Sequence, residues 1–154
     1  MRSTQTRLLL LAGSLLLLAA AAPSLLGREE STIAELKARL PDTNIQDRPP
    51  LCIRISERQL DAAGRLYQAG DVEQAKAALR DVTAFAELAR DYSIQSHKHE
   101  KQAEIAMRKM TRRLGDLKHT VIREDQQAVQ DTLDHLDKIR DDLLLAMFPK
   151  GGKK

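Results

Sequence analysis

The chain has 154 residues, of which 42% are hydrophobic, 31% charged and 3% aromatic. The chain is rich in Ala, Leu, Gln, Arg and Glu and has few aromatic residues. This composition favours an all-α fold packed through aliphatic side chains. The formal net charge of +3 is too small to predict binding to nucleic acid.

The N-terminal segment is typical of a secretory signal peptide. Arg2 and Arg7 precede an uncharged, leucine-rich run from Leu8 to Ala22, and the run ends in small residues, as such signals do. We expect cleavage after Ala21, so that residues 1–21 are the signal and the protein is periplasmic or secreted. Loss of the two arginines lowers the net charge from +3 to +1. About 130 residues then remain, enough for one domain but not for two.

The same segment leaves an alternative open. Residues 8–26 carry no charge, and this length is close to the ~20 residues with which a helix spans a bilayer. If the signal is not cleaved, it anchors the protein in the inner membrane, and only then do we expect contact with a membrane. Gly13, Ser14 and Pro23 interrupt the run, which favours cleavage.

Cys52 is the only cysteine, so the exported chain has no internal disulfide and depends on packing for stability. It lies between Leu51 and Ile53. Because free cysteine is among the most buried residue types, we predict a buried thiol. The alternatives are an intermolecular disulfide and a reactive thiol.

A short first helix is predicted from its capping signals. Thr32 and Glu35 have the spacing of a capping box, and Pro41 ends the helix. The polar residues up to Arg48 are predicted to be a linker, so residues 22–48 form a short helix and a linker.

The second helix is predicted to start at Asp47 and the two prolines that follow it, since proline is tolerated in a first helical turn. Gly70 supplies a left-handed stop, and Asp71 is the expected cap of the next helix. The chain therefore reverses here and forms an antiparallel helical hairpin.

The next segment has the pattern of an unusually long helix. Apolar residues recur at spacings of three and four from Val72 to Val121, in a seam like that of a coiled coil, and no proline interrupts it. We predict one straight helix over residues 71–117, which makes the fold a set of antiparallel hairpins around one long central helix. The seam turns polar at Ser93 and Ser96. A break there gives the alternative, a compact four-helix bundle.

The last helix is predicted from Glu124, and the helical domain spans residues 49–148, followed by a disordered basic tail over 149–154. Most of the charged residues in 98–118 are basic and most of those in 124–142 are acidic, which favours antiparallel pairing of these two segments. Paired residues are expected to have numbers that sum to about 245, since the chain folds back near residues 120–123. This register places Met107 and Met110 opposite Leu136 and Ile139, and Arg112 beside Asp131 or Asp134.

Two resemblances accompany these patterns. Gly64, Tyr67, Gly70, Asp71 and Ala75 resemble the first turn of a tetratricopeptide repeat, but a single copy does not make that architecture. The segments 50–60, 104–109 and 141–148 resemble a group of small exported bacterial all-helical proteins. No activity is described for that group, so the resemblance implies a helical fold and export but no chemistry.

Motifs for catalysis and for cofactors are absent from the sequence, so we expect neither enzyme activity nor a cofactor. The four histidines are His97, His99, His119 and His135. They support only an alternative function as a metal-binding helical bundle, because the two Glu-x-x-His helices of carboxylate-bridged metal bundles are missing. The basic residues Arg108, Lys109, Arg112 and Arg113 lack neighbouring aromatic residues and are interpreted as a solvated helix face.

The sequence therefore predicts an exported, non-enzymatic helical protein with an interaction or structural role in the cell envelope. Phe85, Leu88 and Tyr92 form a second apolar stripe beside the seam. We expect this stripe either to contact the first short helix or to bind a protein partner. The oligomeric state does not follow from the sequence.

Overall fold

A computed structural model describes residues 32–149 of the chain. The predicted signal peptide, its anchor alternative and the lysines of the tail lie outside the described residues. Between residues 32 and 149 the protein is helical and contains no strand. The helices are α1 (Ile33–Arg39), α2 (Arg48–Ala69), α3 (Val72–Ser96), α4 (Glu100–Thr120) and α5 (Gln126–Met147). None of them is both long and apolar enough to cross a membrane.

The α2–α3 hairpin turns at Gly70, as the sequence predicts. Gly70 has a φ of 81°, in the left-handed region that glycine adopts without a steric penalty. The N–H of Gly70 donates to the carbonyl of Tyr67, and that of Asp71 donates to the carbonyl of Leu66, so two carbonyls at the end of α2 are satisfied. The side chain of Asp71 does not cap α3, which corrects the role expected for it.

The prediction of one straight helix over residues 71–117 is wrong. Helix α3 ends at Ser96 and α4 starts at Glu100. Between them, His97 and His99 have φ values of 52° and 67°. This break lies where the seam turns polar, and it is the one that the compact alternative requires. Burial explains the outcome, because a straight helix would hold the two hairpins apart and leave their apolar faces in water.

The two hairpins, α2–α3 and α4–α5, close into a four-helix bundle in which α3 packs on α5 and α2 packs on α4. Its core includes Leu79, Val82, Met107, Leu136 and Ile139, which are at most 1% exposed. Burial of each such side chain is worth about 1.5–3 kcal/mol. One continuous core therefore joins the two hairpins.

The α4–α5 hairpin has a register three residues away from the expected one. Thr111 donates a hydrogen bond to Asp137 (3.4 Å), and Lys118 donates one to Gln130 (2.6 Å). In both pairs the residue numbers sum to 248 rather than 245. The connection includes a single turn of 3-10 helix over Arg123–Asp125, so the chain folds back later than residues 120–123.

Helix α1 forms the predicted capping box. The Thr32 N–H donates to the Glu35 carboxylate (2.8 Å), and the Glu35 N–H donates to the Thr32 hydroxyl (3.2 Å). Leu36 is fully buried in a small second core with Leu51 and Ile55. Because α1 has only seven residues, it depends on this packing to stay helical.

Candidate interaction surface

The predicted interaction stripe is not an exposed surface. Phe85, Leu88 and Tyr92 are half-buried and pack against the main core. Phe85 also packs against the small core under α1, and the Lys37 ammonium lies 5.1 Å from its ring centroid. The structure thus bears out the expected contact with the first short helix.

Tyr92 is covered by the first residue of α2. The Arg48 guanidinium lies 5.1 Å from the centroid of the Tyr92 ring and donates a hydrogen bond to its hydroxyl (3.4 Å). Both aromatic members of the stripe thus have a basic side chain over the ring. A partner would have to displace these side chains to reach the stripe.

His97 and His99 share the turn between α3 and α4, whereas His119 lies in the last turn of α4 and His135 in α5. The Nδ1 of His99 is 2.9 Å from Oε1 of Gln102, and the Nε2 of His135 is 2.8 Å from Oε1 of Glu87. His119 is exposed to solvent. In the part of the chain that the structure describes, no three His, Cys, Asp or Glu side chains are placed to hold a metal ion together.

The most distinctive surface is the outer face of α4. Lys101, Ile105, Arg108 and Arg112 follow one another at spacings of four, three and four residues, so they lie on one side of the helix. All four are exposed, and Lys109 is exposed beside them. We call these five residues the α4 face.

Ile105 stands out within this face because 44% of its surface is exposed. The seam of α4 is buried on the opposite side and includes Ala103, Met107, Met110 and Leu114. Ile105 lies off this seam, so the fold does not use it. An isolated exposed apolar residue is common, but this one is surrounded by cations.

The cations of the α4 face do not pair with α5 as the charge pattern predicts. Among the described residues no ion pair joins α4 to α5, and Arg112 contacts neither Asp131 nor Asp134. Arg108 has only a 3.8 Å contact with Glu104 of its own helix. Arg113, in contrast, points away from the face and forms an ion pair with Asp61 of α2. The positive charge of the α4 face therefore faces solvent.

Shallow grooves run between helices of different hairpins. The groove between α2 and α4 has a volume of about 350 Å³, and the Asp61–Arg113 ion pair crosses it. The groove between α3 and α5 has a volume of about 320 Å³ and ends near His135. The facing charges of the first groove, Asp61 and Arg113, pair with each other, and His135 at the end of the second groove lies 2.8 Å from Glu87.

A smaller pocket of about 210 Å³ lies at the end of the bundle where both hairpins turn, between Tyr67, Ile122 and Asp125. The Tyr67 hydroxyl is buried there without a hydrogen-bond partner. Burial raises the pKa of this hydroxyl, and the nearby Asp125 carboxylate raises it further. The phenol therefore stays protonated at neutral pH and is a hydrogen-bond donor without an acceptor.

Comparison with known proteins gives no relative from which a role could be transferred: no protein-family model, no curated protein and no solved structure matches the chain.

The basic set predicted from the sequence contains three cations of the α4 face, Arg108, Lys109 and Arg112, but not Lys101 or Ile105. The signal was present, because an isoleucine that departs from the buried seam and stands between Lys101 and Arg108 is an apolar residue on a charged surface. The interpretation as a solvated face considers only the basic residues and leaves out Ile105, which lies beside them.

Proposed function

We propose that the protein is a non-enzymatic interaction protein that acts outside the cytoplasm and binds an acidic surface of another protein through its α4 face. The N-terminal signal pattern supports the location. The observation that carries the proposal is the exposed Ile105 among four exposed cations. Within residues 32–149, only Arg108 of these four has an ion partner, at 3.8 Å.

The arrangement has the two parts of a binding site. Ile105 offers an apolar contact that a partner can bury, and the flanking cations form a charged rim. Complementary charge accelerates association and selects against basic partners. We therefore expect the partner to present one apolar pocket bordered by aspartate or glutamate.

The test is capture of partners from an envelope extract by tagged protein, with two matched variants. Arg108→Glu/Arg112→Glu reverses two charges on the α4 face. Arg54→Glu/Arg80→Glu reverses two exposed arginines on α2 and α3, so it changes the net charge equally. We expect the first variant to capture at least about tenfold less partner than the wild type, and the control to capture as much as the wild type.

The captured protein is then purified, and its affinity is measured directly. Ile105→Asp should weaken binding at every salt concentration, whereas the affinity of the wild type should fall as salt rises from about 50 to 300 mM, because salt screens exposed charges. Equal loss of capture by both double variants, or by neither, contradicts the assignment of the α4 face.

A further inference from the structure

The turn between α3 and α4 is conformationally unfavourable for its sequence. It has three residues, and two of them, His97 and His99, have positive φ values. The His97 N–H donates to the carbonyl of Ile94 (3.4 Å), and that of Lys98 donates to the carbonyl of Ser93 (3.2 Å). This is the hydrogen-bond pattern of a helix end at which glycine is usual. L-amino acids with a side chain are disfavoured in that region.

The same sequence is compatible with a continuous helix. From Val72 to Thr120 there is no proline, and the only glycine is Gly115, far from the turn. The seam keeps its spacing of three and four through the turn, from Ala89 to Ala103, although its positions there are polar. If residues 97–99 became helical, both positive φ values would disappear, and the N–H groups at the start of α4 would gain helical hydrogen bonds.

A chain that straightens must expose the surfaces through which its two hairpins meet. These surfaces contain Val82, Met110, Leu136 and other core residues, so they are strongly apolar. They also contain specific polar contacts. Ser56 of α2 lies 3.5 Å from the sulfur of Met110 in α4, and Arg90 of α3 donates to Asp142 of α5 (2.9 Å).

Another copy of the chain carries the complement of each of these surfaces. In two straightened chains lying side by side, α2–α3 of one chain can pack on α4–α5 of the other through the contacts of the closed bundle. Only the turn differs between the two forms. A short, strained turn between two units that pack on each other favours such an exchange.

We propose that the protein forms a domain-swapped dimer in which α3 and α4 become one helix and two chains exchange their α4–α5 hairpins. The partner is a second copy of this chain, and the interaction surfaces are the inner faces of the two hairpins. The closed bundle predominates in dilute solution because its hairpins are tethered, and the dimer accumulates as the protein concentration rises.

The first experiment compares two turn variants by size-exclusion chromatography with light scattering over a range of concentrations. In His97→Gly/His99→Gly the turn adopts its positive φ values without strain and a straight helix is less stable, so the fraction of dimer should decrease. His97→Ala/His99→Ala leaves the strained turn and favours the straight helix, so the dimer should increase. We expect the dimer dissociation constants of the two variants to differ by at least about tenfold.

The second experiment distinguishes an exchanged dimer from two closed bundles that associate. Asp61 and Arg113 form an ion pair between the hairpins, so Asp61→Cys/Arg113→Cys, made in a Cys52→Ala background, places one thiol on each hairpin. The isolated dimer is treated with a short bismaleimide and analysed by denaturing electrophoresis. Exchange links the two chains covalently, whereas associated closed bundles become linked within each chain and run as monomers.

The Asp61→Cys single variant in the same background is the control and should give no covalent dimer. Two results overturn the proposal. One is a protein that stays monomeric in the alanine variant at the highest concentration reached. The other is a dimer in which the cross-link forms within chains.

Discussion

The Nζ of Lys76 in α3 lies 2.9 Å from Oδ1 of Asp125, next to the start of α5. The Asp125 side chain is only 9% exposed, and its hydrogen bond to Lys76 raises the pKa of the lysine. This ion pair joins the two hairpins at the end of the bundle that is opposite the turn at residues 97–99.

Removing one partner of this pair should cost more stability than removing both. Lys76→Met leaves the buried Asp125 carboxylate without its cation, whereas Lys76→Met/Asp125→Asn leaves a neutral side chain there. We expect the single variant to lower the urea midpoint about twice as much as the double variant. Lys37→Met is the control, because its partner Asp81 is 40% exposed, and its effect should be small. A double variant less stable than the single variant would contradict this account.

Two glycines should respond in opposite ways to the same substitution. Gly70→Ala places a side chain at a φ of 81° and should destabilise the bundle by about 1–2 kcal/mol. Gly64 lies inside α2, and a Cβ added there meets no atom within 4 Å. Gly64→Ala should therefore stabilise the protein by about 0.5–1 kcal/mol through helix propensity. Urea denaturation measures both effects, and a loss of stability on Gly64→Ala would show that the α2–α4 groove needs the glycine.

Local signals in the sequence predicted most of the helix ends. The Thr32–Glu35 capping box, the prolines at the start of α2 and the left-handed Gly70 all occur as expected. Each depends on residues that are neighbours in the chain, so sequence alone contains the information. The break at residues 97–99 has a weaker local signal, the polar Ser93 and Ser96 in the seam, because a histidine is neither a required stop nor a forbidden helical residue. Closure of the bundle imposes it through contacts between distant residues.

The candidate site illustrates the same limit. The apolar stripe containing Phe85 and Tyr92 is visible in the sequence, and the contact of Phe85 with α1 is the one expected from it. Arg48 also lies over Tyr92, and this contact was not predicted because the two residues are far apart in the chain. Ile105 remains exposed because no element of the described chain lies over it, and this too is visible only when all the helices are in place.

Leu36 should decide whether α1 stays docked. It is fully buried, so Leu36→Ala is expected to cost about 2–4 kcal/mol of the docking energy of α1. Amides of α1 should then exchange with solvent deuterium at least about tenfold faster, while those of α5 change little. The same substitution at Leu145, which is 53% exposed, is the control and should leave exchange in α1 unchanged. Unaltered protection of α1 in the Leu36 variant would contradict the role given to this leucine.

Cys52 should make the stability of the bundle fall in alkaline solution. Burial raises the pKa of its thiol from 9.0 to about 11, against a smaller opposing effect of the Arg48 charge. The unfolded chain loses this proton near pH 9 and the folded chain only near pH 11. The buried neutral thiol therefore contributes fully to the free energy of unfolding below pH 9. This contribution is lost as the pH rises towards 11, to a total of about 3 kcal/mol.

The Cys52→Ala variant isolates this contribution, since every other titrating group is common to both proteins. At pH 7 we expect the variant to be less stable than the wild type by about 1–2 kcal/mol, because a smaller side chain leaves a cavity in the core. Urea denaturation at intervals between pH 7 and 11 should show this difference shrinking above pH 9 and then reversing in sign. A difference that stays constant up to pH 11 would mean that the thiol is not buried as the structure describes. Alkylation gives an independent check, because a neutral buried thiol should react with iodoacetamide only at the rate at which the protein unfolds.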